Sequence, residues 1–173
     1  LNEEGKTCSI TAIDYTPFFY VKVPFNWSIN DKELFVQHVK DKVGKYYENS
    51  ITESKIIKRK KLYGYDGGKQ HKFIVIKMQN MRAFYKARSL WYNKDRRLKK
   101  YVYRGEKLEL YEANIPPLLR FFHIREISPS GWIQVDDKFL SEDNLTTCDY
   151  EYVIPYKKII PLNDKEDSVP YKV

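Results

Sequence analysis

Two strand-like runs, residues 53–63 and 71–78, flank the link Gly64-Tyr65-Asp66-Gly67-Gly68-Lys69, and this arrangement limits the fold more than any other feature. Three glycines in six residues supply the positive φ values that a tight reversal needs, so the two runs are expected to pair as an antiparallel hairpin. A lone hairpin is marginal in water, and the neighbouring segments must therefore complete the sheet and cover one of its faces. Upstream, Ser9 to Pro24 is dense in β-branched and aromatic residues, with Thr16-Pro17 as an interruption between two strand-like pieces. Between these pieces and the hairpin, Leu34, Phe35, Val39, Val43, Tyr46 and Tyr47 recur at helical spacing. A first helix is expected over about 31–47, capped by Ser28, Asn30 or Asp31. Downstream, Asn80 is placed to cap a second helix carrying Met81, Phe84, Tyr85, Ala87, Arg88 and Trp91, which should end near Asn93. A further strand is expected around Lys99–Tyr103.

The resulting order, strand, helix, strand, strand, helix, strand, is the βαββαβ pattern shared by ferredoxin-like and RNA-recognition folds. It carries no function by itself. A base-stacking sheet of the RNA-recognition kind would need aromatics on both central strands; 19–23 supplies an acceptable strand, whereas 71–76 lacks the aromatic pair and the glycine of the signature.

The segment 111–135 opens with two prolines, two arginines and a histidine within residues 111–125. Asn114 is expected as an N-cap with Pro116 and Pro117 in the first turn, where a missing N–H matters little. Ile115, Leu118, Leu119 and Phe122 would form the buried stripe, with Arg120 and His123 on another face. Ser128-Pro129-Ser130-Gly131 should turn the chain into a strand at 132–135, with Trp132 largely buried, and further strands are expected over 148–155 and 156–161. A histidine beside an arginine, with no nucleophile or second acid nearby in sequence, reads as scaffold rather than as a catalytic group.

The basic charge is concentrated in one segment. Between Ser54 and Arg104 there are 17 Lys/Arg against the two acids Asp66 and Asp95, a net +15 in a chain of 173 residues and net charge +8. The remainder therefore carries −7, and so local an excess points to a polyanionic partner, most simply nucleic acid. The two cysteines, Cys8 and Cys148, suit neither a disulfide framework nor a zinc site, which points to a reducing, intracellular setting. No apolar run reaches the length of a membrane span, and the first residues lack the pattern of a signal peptide. With 42% hydrophobic and 16% aromatic residues the chain has enough apolar surface for a packed core.

Four stretches resemble the N-terminal domain of family B DNA polymerases, most closely those of large eukaryotic double-stranded DNA viruses. They are Leu62-Tyr63-Gly64-Tyr65, Tyr111-Glu112-Ala113-Asn114-Ile115 running into Leu119-Arg120-Phe121, and Ser130-Gly131-Trp132-Ile133. The fourth is Pro161-Leu162-Asn163-Asp164-Lys165-Glu166 with Val169-Pro170-Tyr171-Lys172-Val173. The resemblance spans about residues 14–173. It implies an α+β fold, with a ferredoxin-like βαββαβ lobe over about 25–104. A small β-rich, OB-like lobe from about 8–24 and 105–173 would lead to the exonuclease domain. It also implies that the chain is a piece of a longer polymerase, stopping short of the first acidic exonuclease motif. On this basis the segment is expected to be non-catalytic, with no catalytic residue and no metal ligand of its own, Mg2+ serving only the parent enzyme. Its expected role is guiding single-stranded template DNA and supporting the exonuclease domain, and its expected partners are that DNA and the exonuclease and polymerase domains. Virus replication in the cytoplasm or nucleus of a host would be the setting.

Single strands are held by a positive groove with aromatic platforms. The nucleic-acid candidates are Lys58, Arg59, Lys60, Lys61, Tyr63, Tyr65, Lys69 and Lys72 at the hairpin, and Arg96, Arg97, Lys99 and Lys100 in the second basic-aromatic stretch. Tyr111, Glu112, Asn114, Arg120, Gly131 and Trp132 are the motif residues to which the resemblance gives a structural role. Alternatives are an internal docking or partner-binding scaffold without DNA contact, and an independent RNA-binding module.

Overall fold

The computed structural model describes residues 1–60, 66–143 and 145–162. They form β1 (Cys8–Ile13), β2 (Phe18–Val23), α1 (Ile29–Val43), β3 (Ile51–Lys60), β4 (Gln70–Met78), α2 (Met81–Arg88), β5 (Tyr101–Tyr103), β6 (Glu106–Tyr111), α3 (Pro117–Arg125), β7 (Ile133–Gln134), β8 (Tyr150–Pro155) and β9 (Ile160–Pro161). The fold is mixed α and β, with a five-stranded antiparallel sheet and few helices. Its contacts divide into two units, Thr16–Ile115 and the pair of segments Leu1–Tyr15 and Pro116–Val173.

The first unit is built on the sheet β3-β4-β2-β6-β5. In β2, Phe19, Val21 and Val23 alternate onto one face and pair in register with Ile76, Ile74 and Lys72 of β4. The apolar partners join Phe35, Val39 and Val43 of α1, and Ala83, Phe84 and Ala87 of α2, in one core. Trp91, in the short 3-10 turn that follows α2, lies in the middle of that core with its indole N–H donating to the Leu108 carbonyl at 3.2 Å. Ser28 caps α1 with a full capping box, its hydroxyl accepting from the Asp31 amide while the Asp31 carboxylate accepts from the Ser28 amide. Asn80 caps α2 as expected, and α2 is shorter than the periodicity predicts because its last turn tightens at Ser89–Trp91.

The strand around 99–103 is real but occupies a different place from that expected. Antiparallel pairing with β2 is made by β6, and β5 folds back on β6 as the outer edge. Arg104 and Gly105 both take positive φ, 50° and 80°, so the hairpin reverses in two residues.

His38 on α1 is half-buried, with its Nε2 2.8 Å from the Tyr101 hydroxyl. Burial first, and then the Lys42 ammonium, lower its pKa from the ordinary 6.5. Above pH 6.5 the imidazole is neutral both folded and unfolded, so the full stability is present. Below it the unfolded chain takes up the proton first, and stability declines until the folded value is passed. Urea unfolding should therefore show a smaller stability at pH 5.5 than at pH 7.5, and His38→Gln should reduce that difference. An unchanged difference would mean that His38 does not carry the pH dependence.

The second unit pairs β1 with β8 in parallel and β7 with β9 antiparallel. Its small core is Ile127, Ile154 and Ile159, flanked by Ile10, Phe121, Phe122, Ile133, Val135 and Phe139. Several expectations for this region do not hold. The N-cap of α3 is Pro116 with Pro117 at the first helical position, and no side chain caps it. Asn114 instead accepts a hydrogen bond from the Tyr92 hydroxyl. Of the expected buried stripe only Phe122 packs on the core, while Ile115, Leu118 and Leu119 are exposed and Arg120 is buried. Helical spacing defines a stripe but not the side on which the core lies, and here the aromatic pair Phe121 and Phe122 faces inward. Trp132 is half-buried rather than enclosed, because β7 is only two residues long and, among the described residues, pairs with β9 alone. The expected strand over 156–161 is a 3-10 turn followed by the two residues of β9.

Candidate nucleic-acid interface

Register in the β3–β4 hairpin decides which basic side chains can act together. Lys58 pairs with Lys72, Lys60 with Gln70, and Ile56 with Ile74. Alternation puts Lys58, Lys60 and Lys72 on the face that carries α1 and α2, beyond the end of the apolar core. Arg59 pairs with His71 on the opposite face, where His71 is held by Asp66 in the turn. On that face Glu53 binds both Lys55 and Lys77, the latter at 2.5 Å. The hydrogen bond from Lys55, and then that from Lys77, lower the Glu53 pKa to about 2. These two ammonium groups already have a carboxylate.

By contrast, among the described residues no carboxylate lies within ion-pair distance of Lys58, Lys60 or Lys72. Lys58 and Lys72 sit directly opposite each other, a cross-strand pairing of like charges that destabilises a sheet. The Lys72 ammonium donates to the Trp27 carbonyl at 2.7 Å. Both ammonium groups lie over the ring of Phe25, at 5.1 Å for Lys58 and 5.2 Å for Lys72. Unneutralised ammonium groups beside an exposed ring are chemically suited to a polyanion with flat substituents.

The remaining candidates fall elsewhere. Lys69 is exposed in the turn, and Lys61, Tyr63 and Tyr65 lie outside the described residues. Arg96, Arg97, Lys99 and Lys100 precede β5, at the opposite edge of the sheet from β3. Four interstrand spacings separate the two edges, roughly 19 Å, so the two basic stretches do not form one groove. Lys100 pairs with Glu109 at 2.7 Å, and that hydrogen bond is the main reason why the Glu109 pKa is lowered. Phe25 was absent from the sequence candidates. Its signal was an aromatic residue at a turn position, between Pro24 and Asn26, where polar residues usually sit.

Tyr111 ends β6 and donates to Glu109 at 3.1 Å, while Glu112 reverses the chain in the left-handed region at φ 57°. Gly131 accepts no side chain, since a Cβ there would lie 2.8 Å from the Ser128 Cβ. Among the described residues no group of three or more His, Cys, Asp or Glu is arranged to hold a metal ion. No helix among them is long and apolar enough to cross a membrane.

Comparison with known proteins assigns the family. Residues 108–173 match the family described as DNA polymerase family B, exonuclease domain. The whole chain aligns at 44% identity with 18% of a DNA polymerase of Phaeocystis pouchetii virus. At 25% identity, 99% of the chain aligns with 10% of a DNA polymerase of Acanthamoeba polyphaga mimivirus, and 94% with 15% of the DNA polymerase delta catalytic subunit of Schizosaccharomyces pombe. The chain belongs to the family B DNA polymerases, and it spans less than a fifth of the length of these relatives.

The match corrects the expected role. A non-catalytic N-terminal domain flanking the exonuclease domain was expected, and with it template guidance or, alternatively, a docking scaffold or RNA-binding module. The matched stretch runs from within β6 through α3, β7, β8 and β9, and identifies residues 108–173 as exonuclease region. The resemblance places the exonuclease domain after Val173, whereas the matched stretch already begins at residue 108. Catalytic carboxylates are brought together by folding from distant strands, so a missing local cluster does not mark the edge of a domain.

Proposed function

We propose that this segment is a DNA-contacting part of the exonuclease region of a DNA polymerase, and that the whole protein removes nucleotides from 3′ ends and extends DNA chains. The reading rests on one observation above the others, the array of Lys58, Lys60 and Lys72 on one sheet face with no neutralising carboxylate among the described residues. Magnesium would serve the reactions of the whole protein, and the described residues do not offer a donor set for it. The order β3-β4-β2-β6 with both helices on one face supports a ferredoxin-like reading of the first lobe, and the short strands of the second support a small β-rich lobe.

Single-stranded DNA should bind the chain with an affinity that falls with salt. The log–log slope is about −0.7 per phosphate contacted, so three lysines correspond to roughly −2. Lys58→Ala with Lys60→Ala should flatten the slope by about 1.4 without unfolding the protein, because both side chains are exposed. In a polymerase carrying this segment, the same pair should slow the shortening of single-stranded 3′ ends. Fluorescence anisotropy of a labelled oligonucleotide across a salt series reads the first effect, and gel analysis of shortened strands the second. An unchanged slope together with an unchanged rate of shortening would sink the proposed DNA contact.

A further inference from the structure

The turn after β2 is built to display an aromatic ring. Trp27 closes it by donating its amide N–H to the Pro24 carbonyl at 3.2 Å, and the Trp27 side chain is buried against Phe35 and Tyr103 at ring separations of 5.6 and 5.9 Å. The Lys72 ammonium holds the Trp27 carbonyl from the other side. A turn anchored in this way has little freedom, yet its tip carries Phe25 with 60% of its surface exposed. One exposed phenylalanine is unremarkable. Here it lies under two ammonium groups from adjacent strands, Lys58 and Lys72, whose mutual repulsion the structure tolerates. Lys60 lies on the same face one pair further along, its ammonium 3.8 Å from where a Gly68 side chain would begin.

We infer that Phe25 is a stacking platform for one unpaired base of single-stranded DNA, with Lys58, Lys60 and Lys72 holding the phosphates on either side of that nucleotide. The inference rests on the DNA-contacting reading above and adds the residue that engages a base. The ring offers a π-face to any base, so binding is tolerant of sequence; the flexible Lys58 stem lets its ammonium swing from the ring to a phosphate, and Lys72, with three N–H donors, can face a phosphate while keeping the Trp27 carbonyl. Backbone and base are recognised by different chemistry, and this separates the consequences of the substitutions.

Phe25→Ala should weaken binding of single-stranded DNA about 5- to 150-fold at every salt concentration, with the salt slope unchanged. Phe25→Trp should bind at least as tightly as the natural protein, and Phe25→Leu should behave like Phe25→Ala, since it keeps apolar bulk but has no π-face. An oligonucleotide of the same length made of abasic nucleotides removes the base and keeps the phosphates. With that probe the natural protein and Phe25→Ala should bind alike. Circular dichroism should show both variants folded, because the ring lies outside the core. If Phe25→Ala binds the normal oligonucleotide as tightly as the natural protein while the Lys58 and Lys60 substitutions still flatten the slope, stacking is overturned and the phosphate contact stands. A weakening by Phe25→Ala that is equally large on the abasic probe also overturns stacking. No measurable binding by the natural protein at low salt overturns both readings together.

Discussion

Trp91→Ala should lower the unfolding free energy of the chain by about 3–5 kcal/mol, the usual range for deleting a buried tryptophan. The indole is fully buried, and its ring stands 5.2 Å from Tyr101, 5.8 Å from Phe19 and 6.4 Å from Phe35. It thereby ties α1, β2 and β5 together from a short turn that has little stability of its own. Its removal leaves a cavity that residues on three different elements cannot close by a common shift, and it also leaves the Leu108 carbonyl without its donor. Trp91→Phe should cost less than Trp91→Ala, since it fills most of the cavity and forfeits the hydrogen bond. Urea denaturation followed by far-UV circular dichroism gives both values. A loss below about 1 kcal/mol for the alanine variant would be inconsistent with this packing.

Ile154→Ala should unfold the second unit with little effect on the first. Ile154 is fully buried in a core of only three enclosed isoleucines, so an expected loss of about 2–5 kcal/mol falls on a unit with little apolar surface to spare. The β1–β8 pairing and the loop held by Glu151, which accepts from the Leu145 amide at 3.1 Å and the Thr146 amide at 2.5 Å, should loosen with it. Hydrogen exchange should then speed up at amides of β1 and β8 and stay slow in β2 and β4. Equal acceleration in both units would mean that they unfold as one.

Local chemistry made much of this protein legible. The Thr16-Pro17 break between β1 and β2, the Ser28 and Asn80 caps and the β3–β4 hairpin each depend on a few neighbouring residues, and each appears where the sequence indicates. The less legible part begins at Tyr101. β5 and β6 both carry strand composition, and nothing local says which of them pairs with β2 and which becomes the edge. The stripe on α3 likewise shows a period but no direction, and Arg120 rather than Leu118 or Leu119 is buried.

The candidate interface shows the same division. Residue order alone shows that positive charge is concentrated between Ser54 and Arg104 and that aromatic residues are interleaved with it. It also contained the motifs that place the chain among family B polymerases. Folding puts the two basic stretches at opposite edges of one sheet, turns Arg59 away from Lys58 and Lys60, and brings Phe25 to Lys58 and Lys72, none of which is visible in residue order. The physical reason is the range of the forces that set each feature. Caps, turns and periodicity are decided within a few residues, whereas strand order and register follow from the burial of apolar faces contributed by segments far apart in the chain, and a shift of one residue in register sends every side chain of a strand to the other face.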